Sequence, residues 1–331
     1  MLAAACEQVS NRLPAAACSA TTTSAVRIST TGTDAAAMQE SIQTLAGIMM
    51  RSKIPAVVQI SGLLQLQALG LDQEPEMVKY GKSLAALRAM EGSNIYLLAD
   101  EAPSVGLATG GAVLEDPDAT LLLVQTRKLG AEKEVAAAMN EWMTDASVES
   151  VGGGWYWVKP KGMTRALGSG DAAAAAALEN ALAGVTASPV TIGLRITDSM
   201  RDSFSEGMDE DGGMLTAAFA GFEDSMQSLQ MASIGLQFGP KPEIRAAMTF
   251  ENDAAAQEFN ESWTSTTRSL TSMLGMMMAS QAVEEEAEGD AAPEPMDATM
   301  FSGMAEALAM RQDKQRLSLV IDDAAWRKLL P

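Results

Sequence analysis

Trp155 and Trp157 stand two residues apart behind the run Gly152-Gly153-Gly154, a spacing that puts both indoles on one face of a β-strand. Such a pair serves either as a stacking platform for a sugar or peptide ligand or as part of an apolar core. The glycines lead into an alternating strand and not into a helix, so they read as a hairpin turn; a phosphate cradle needs a helix N-terminus behind it. Cys6 and Cys18 each follow three alanines, and a small-residue stretch ending in cysteine is the form of a bacterial lipid-attachment site. A working signal also needs a basic start and an apolar stretch of about 7–15 residues. Five residues precede Cys6, and Glu7, Asn11 and Arg12 interrupt the approach to Cys18. Lipid attachment, a disulfide and two ordinary thiols all stay open at this point.

Other chemistry is narrowed by what is missing. The chain has no histidine, which removes Ser-His-Asp and Cys-His catalysis and the His-based zinc sites. Its 23 methionines cluster at Met49-Met50, Met273 and 276–278. Thioether clusters bind Cu(I), but these fall within helical apolar patterns, where methionine fills a core. The acidic turn at 208–213 resembles a calcium loop; counted from Asp209, its fifth ligand would be Gly213 and its terminal glutamate Ala220, so the pattern fails. The 43 carboxylates are the plentiful acid–base groups, and a hydrolase would need two of them facing across a cleft. No spacing singles out such a pair. The sequence therefore leans away from an enzyme and implies no catalytic residue, metal or cofactor.

Length and charge bound the rest. The 331 residues are enough for two domains, and a mean hydropathy of +0.04 fits a chain with a core. A net charge of −20 repels nucleic acid and anionic lipid, and the densest basic stretch, Lys159, Lys161 and Arg165, is short. No run reaches the ~18 apolar residues of a membrane span.

Periodicity supplies the elements that would position any site. Helical spacing marks 36–52, with Asp34 as N-cap, then 74–90 and 131–143. Strands are expected at 94–99, 119–126, 147–151 and 155–158. Further on, strands are expected at 190–197, 229–238 and 243–250. A helix begins at Asn252 or Asp253 and runs towards 280. An acidic, Pro-containing insert at 282–297 reads as disordered; a helix, a strand at 316–321 and a short capped helix follow. The order strand, polar turn, helix recurs with Trp142 in one helix and Trp263 in the other. The expectation is an α+β fold in two similar halves, each a mostly antiparallel sheet flanked by helices. The halves would span 37–186 and 187–331, behind a flexible leader and tether at 1–36 that holds at most a short strand near 25–29.

The phrases NIYLLAD, ATLLLVQTR, SVESVGGGWYWV, DAAAAAALENALAG and PVTIGLRITDSMRDSF occur in this order. In architecture and wording the chain resembles a loose group of exported, Ala/Leu-rich proteins of planctomycete-type bacteria that have no assigned activity. The resemblance covers roughly residues 54–280, and it implies an extracytoplasmic α+β protein without supplying site residues. The combined expectation is a non-enzymatic, extracytoplasmic binding or structural protein, with an unknown protein partner or a lipid anchor. The rivals are a carboxylate-dependent hydrolase and a cytoplasmic interaction module.

Overall fold

Continuous apolar runs at 95–98 and 121–124 call for strands buried on both faces, and both form. A computed structural model describes residues 11–51, 58, 61, 74–90, 93–100, 118, 120–185, 188–202, 221–288 and 298–330. These contain ten strands, and every strand pairing whose register is defined is antiparallel. The α+β class expected from the sequence is the class observed.

The chain divides into two units that interleave along the sequence. The first comprises Met1–Ser41, Ala68–Ile196 and Met231–Pro240; the second comprises Ile42–Gln67, Thr197–Gln230 and Lys241–Pro331. They do not correspond to halves at 37–186 and 187–331, because strands distant in sequence join the first unit's sheet.

That sheet has the strand order β4-β5-β3-β2-β1-β6-β7. The strands are β1 (Ser24–Ser29), β2 (Asn94–Ala99), β3 (Thr120–Gln125), β4 (Ser147–Gly152), β5 (Trp155–Lys159), β6 (Val190–Arg195) and β7 (Leu229–Gln237). The main departure from the sequence reading lies at β1. The short strand allowed within the tether pairs with β2 on one side and β6 on the other, so it sits inside the sheet. Its Ala25, Val26 and Ile28 are buried, and burial of this kind is what a flexible tether lacks.

Alternation sends the side chains of each strand to two faces. One face buries Val26, Ile28, Ile95, Leu97, Leu122, Val124, Tyr156 and Val158 under α2 (Pro75–Arg88) and α3 (Glu132–Asn140). The other buries Ala25, Tyr96, Leu98, Leu121, Leu123, Trp155 and Trp157 under α4 (Ala172–Ala183) and an N-terminal strap that contributes Leu13, Ala17 and Cys18. Asp171 caps α4 by accepting from Ala173 N and Ala174 N, each at 2.9 Å. Helix α1 (Ala35–Met49) starts as expected, with Asp34 Oδ1 accepting from Ala37 N at 3.0 Å. The glycine run forms the β4–β5 turn, with φ of 93°, 61° and 82° at residues 152–154. Three successive positive φ values are the reason that glycine is favoured at each of these positions.

Among the described residues the second unit holds three strands, in the order β8-β10-β9: β8 (Glu243–Phe250), β9 (Arg311–Asp313) and β10 (Arg316–Ile321). Its helices are α5 (Glu223–Gln227), α6 (Asp253–Glu288), α7 (Ala298–Ala307) and α8 (Asp323–Leu329). Phe259 of α6 meets Phe222 at 4.8 Å and Phe250 at 5.2 Å between ring centroids. The Trp263 indole donates to Leu308 O at 2.7 Å and that of Trp326 to Pro242 O at 3.1 Å. Residues 282–288, expected to belong to a disordered insert, are the last two turns of α6; the remainder of the insert lies outside the described residues. No described helix is long and apolar enough to cross a membrane.

Candidate functional site

The face of the first unit that carries α4 is apolar beneath that helix and turns polar at the strand ends beyond it. Arg27 of β1 stands opposite Tyr96 of β2 and Thr191 of β6, while Ser29 stands opposite Asn94, and Asn94 opposite Gln125. Period-two alternation accounts for the grouping: Arg27 and Ser29 share the face of Ala25, opposite to Val26 and Ile28. Arg27 Nη2 donates to Thr191 Oγ1 at 3.0 Å. Asn94 Nδ2 and the Tyr96 hydroxyl both donate to Gln125 Oε1 at 3.3 Å, and Gln125 Nε2 donates to Asn11 Oδ1 at 3.4 Å.

Beside this network opens a cleft of about 510 Å³, walled by Arg27, Ser29, Asn94, Ser188, Gln237 and Phe238, with Thr31, Gly32 and Pro189 completing it. It is an open groove, and its walls are more polar than those of most small-molecule sites. Among the described residues of the wall, Arg27 is the one charged side chain. Burial pushes the Tyr96 hydroxyl above its ordinary pKa; the Arg27 guanidinium opposes that shift, through its charge and a hydrogen bond, and Glu179 adds to it. Glu179, on α4, accepts a hydrogen bond from Leu13 N. Fixed donors, hydroxyls and one guanidinium suit recognition of a polar ligand. A second groove, about 390 Å³ in the other unit, is lined by Asn260, Glu261, Thr264, Ser265, Arg268 and Ser269. Every one of these belongs to α6, and among the described residues no second element lines that groove.

The residues singled out by sequence fall elsewhere. Trp155 and Trp157 do share a face, but they are 1% and 5% exposed. Tyr96 packs on Trp155 at 4.7 Å, and Met163 and Leu167 lie over the same cluster. An exposed stacking platform is therefore replaced by core, because the strap and α4 cover that face. Cys18 is a buried free thiol, and burial pushes it up to about 12. Its carbonyl accepts from Gly170 N and Asp171 N, both at 3.1 Å, so lipid attachment at Cys18 would require the strap to leave the core. Cys6 and the acidic turn at 208–213 lie outside the described residues. On α6, Met273 is half-buried and Met276 exposed, and the side chains of Met277 and Met278 are outside the described set. No group of three His, Cys, Asp or Glu suited to a metal occurs among the described residues.

Sequence reasoning missed Arg27, Asn94 and Gln237. The signal available was Arg27 itself, a long cation alternating with Val26 and Ile28 in a strand-like run, the pattern of a strand whose second face is in part polar. No protein-family model, curated protein or solved structure matches the chain.

Proposed function

We propose that the chain is a non-enzymatic binding protein whose ligand, a small polar molecule, occupies the cleft walled by Arg27, Asn94 and Gln237. One observation carries this reading: hydroxyl, amide and guanidinium groups from β1, β2, β7 and the 188–189 loop converge on one cleft. Convergence of separate elements on a few polar groups is the usual mark of a ligand site.

The test is a thermal-shift screen of the full chain against small sugars, sugar acids, amino acids and organic acids, with each stabilising compound followed by NMR for turnover. The expected result is at least one compound that raises the melting temperature, is bound in calorimetry and is recovered unchanged. At 100 times Kd such a ligand adds about 2.7 kcal/mol to stability. Conversion of the bound compound would overturn the non-enzymatic reading. A screen in which nothing binds, or in which binding is untouched by Gln237→Trp, would overturn the cleft as the site.

A further inference from the structure

We infer that the cleft takes a neutral oligosaccharide, laid across the sheet over a row of side chains from four adjacent strand ends; this rests on the binding reading above. Register defines the row. Asn94 stands opposite Ser29, Ser29 N donates to Pro189 O at 2.7 Å, and the next residue, Val190, stands opposite Leu236. Asn94, Ser29, Pro189 and Gln237 therefore lie at one level across β2, β1, the start of β6 and β7, and all four line the cleft. Alternation puts them on one face, that of Ala25. Three steps between neighbouring strands, roughly 4.8 Å each, make the row about 14 Å long. A single sugar ring covers part of that length, and a short oligosaccharide covers it all.

The groups along the row select the class. Asn94 and Gln237 bring amides, and Ser29, Thr31 and Ser188 bring hydroxyls. Each both donates and accepts, as sugar hydroxyls do, so pairs form in either direction. Pro189 and Phe238 add apolar surface beside them, suited to the C–H face of a pyranose ring. The 31–32 turn borders the row at its middle: a Cβ built on Gly32 falls 3.7 Å from the Pro189 ring. Amides and hydroxyls balance neither sign of charge, so a neutral chain loses least on leaving water. The net charge of −20 further repels a polyanion.

Arg27 belongs to the frame beneath this row. It stands opposite Tyr96 and Thr191, donates to the Thr191 hydroxyl at 3.0 Å and hydrogen-bonds the Tyr96 hydroxyl. Gln125 holds Asn94 in the same way. An extended peptide is the other ligand of this length. On a sheet, such a peptide is held by pairing its main chain to a strand edge, and β2, β1 and β6 are each paired on both sides. Side-chain contacts across the row are what the cleft offers, and those suit a sugar chain.

The experiment is calorimetric titration of the full chain with maltotriose, cellotriose and triacetylchitotriose, and with their monosaccharides, trigalacturonate and tetraglycine for comparison. At least one neutral trisaccharide is expected to bind at least tenfold more tightly than its monosaccharide, trigalacturonate and tetraglycine, with an affinity unmoved by salt. Gln237→Leu and Asn94→Leu, at opposite ends of the row, should each weaken it at least fivefold. Because Asn94 also bonds Gln125, Gln237→Leu is the variant that leaves the frame untouched. Equal affinity for trisaccharide and monosaccharide, or tighter binding of trigalacturonate or tetraglycine, would overturn the oligosaccharide reading. Indifference of trisaccharide binding to both variants would do the same. If no trisaccharide binds while a compound from the broader screen does, and that binding is lost in Gln237→Trp, the class is wrong and the binding function stands. If nothing binds in either assay, both readings fall.

Discussion

The backbone of Cys18 fills the space that a side chain would need at Gly168. A Cβ built there falls 2.5 Å from the Cys18 carbonyl carbon and oxygen and 2.8 Å from its nitrogen. The strap is thus pressed against the loop that leads into α4, and the next residues tie it down through the bonds from Gly170 and Asp171.

Gly168→Ala should therefore destabilise the first unit. Backbone atoms cannot swing away as the end of a flexible side chain can, so the cost belongs with overpacking, about 1–3 kcal/mol. Gly81, inside α2, is the contrast: a Cβ there meets nothing within 4 Å. Gly81→Ala should stabilise by about 0.5–1 kcal/mol, through helix propensity alone. Urea midpoints of the two variants moving in opposite directions are the expected outcome; a neutral Gly168→Ala would mean that the strap yields.

Tyr156 makes a second long-range tie. Its hydroxyl donates to Lys128 O at 2.7 Å and accepts from Ala131 N at 2.9 Å, joining β5 to the start of α3. Both Tyr156 and Ala131 are buried, so Tyr156→Phe strands a backbone donor away from water. The expected loss is about 1–3 kcal/mol, with faster hydrogen exchange at the Ala131 amide. An unchanged midpoint with that amide still protected would show that another acceptor replaces the hydroxyl.

How far these features were legible in the sequence follows from the range of the forces involved. Strands β2, β3, β6, β7, β8 and β10 were readable because each carries its own apolar period. The start of α1 was readable for the same local reason, since Asp34 caps it within three residues. β1 was misjudged because it is flanked by small polar residues, and its place beside β2 and β6 depends on partners that begin about 65 and 160 residues further along the chain. The same distance hid the cleft. Arg27, Asn94 and Gln237 meet only once β1, β2 and β7 are assembled, whereas Trp155 and Trp157 looked ligand-ready because local spacing says nothing about the strap that covers them.

Asp118 ties pH to the other end of the same sheet. Its carboxylate accepts from the Thr164 hydroxyl at 2.6 Å, Thr164 N at 2.7 Å and Arg165 N at 2.8 Å. Arg165 Nη1 donates to Asp118 O, and Nη2 to Asp100 Oδ1. These bonds, the Thr164 hydroxyl first, hold the carboxyl below its ordinary 3.8. A folded value below the unfolded one means that the ionised form favours folding. The contribution is present above the ordinary value and disappears as pH falls through the depressed one. Asp118→Asn should therefore be less stable than the parent at pH 6, with the gap closing as pH drops below 3.8. A gap that stays constant down to pH 2.5 would show that the carboxylate's charge is irrelevant to the clasp. The readout is the difference in melting temperature between the two proteins, measured across the acid limb.

Cys18 offers a chemical probe of whether the strap stays in place. Its thiol is 0% exposed and is pushed up to about 12 from an ordinary 9.0, first by burial, then by the charge of Asp171, with Arg195 opposing and Glu179 adding. Thiolate is the reacting species, so a shift of this size slows attack by a disulfide reagent at pH 8 about a thousandfold, before access is considered. In a Cys6→Ser chain, where Cys18 is the sole thiol, native protein should release almost no thionitrobenzoate from Ellman's reagent over minutes. In urea beyond the unfolding transition, one equivalent should appear at once. Fast labelling of the native chain would mean that the 11–20 segment leaves the sheet readily, and the tether reading of the N-terminus would then displace the strap. Slow labelling that accelerates in parallel with unfolding fixes Cys18 as core, and directs any search for a lipid-modified cysteine to Cys6.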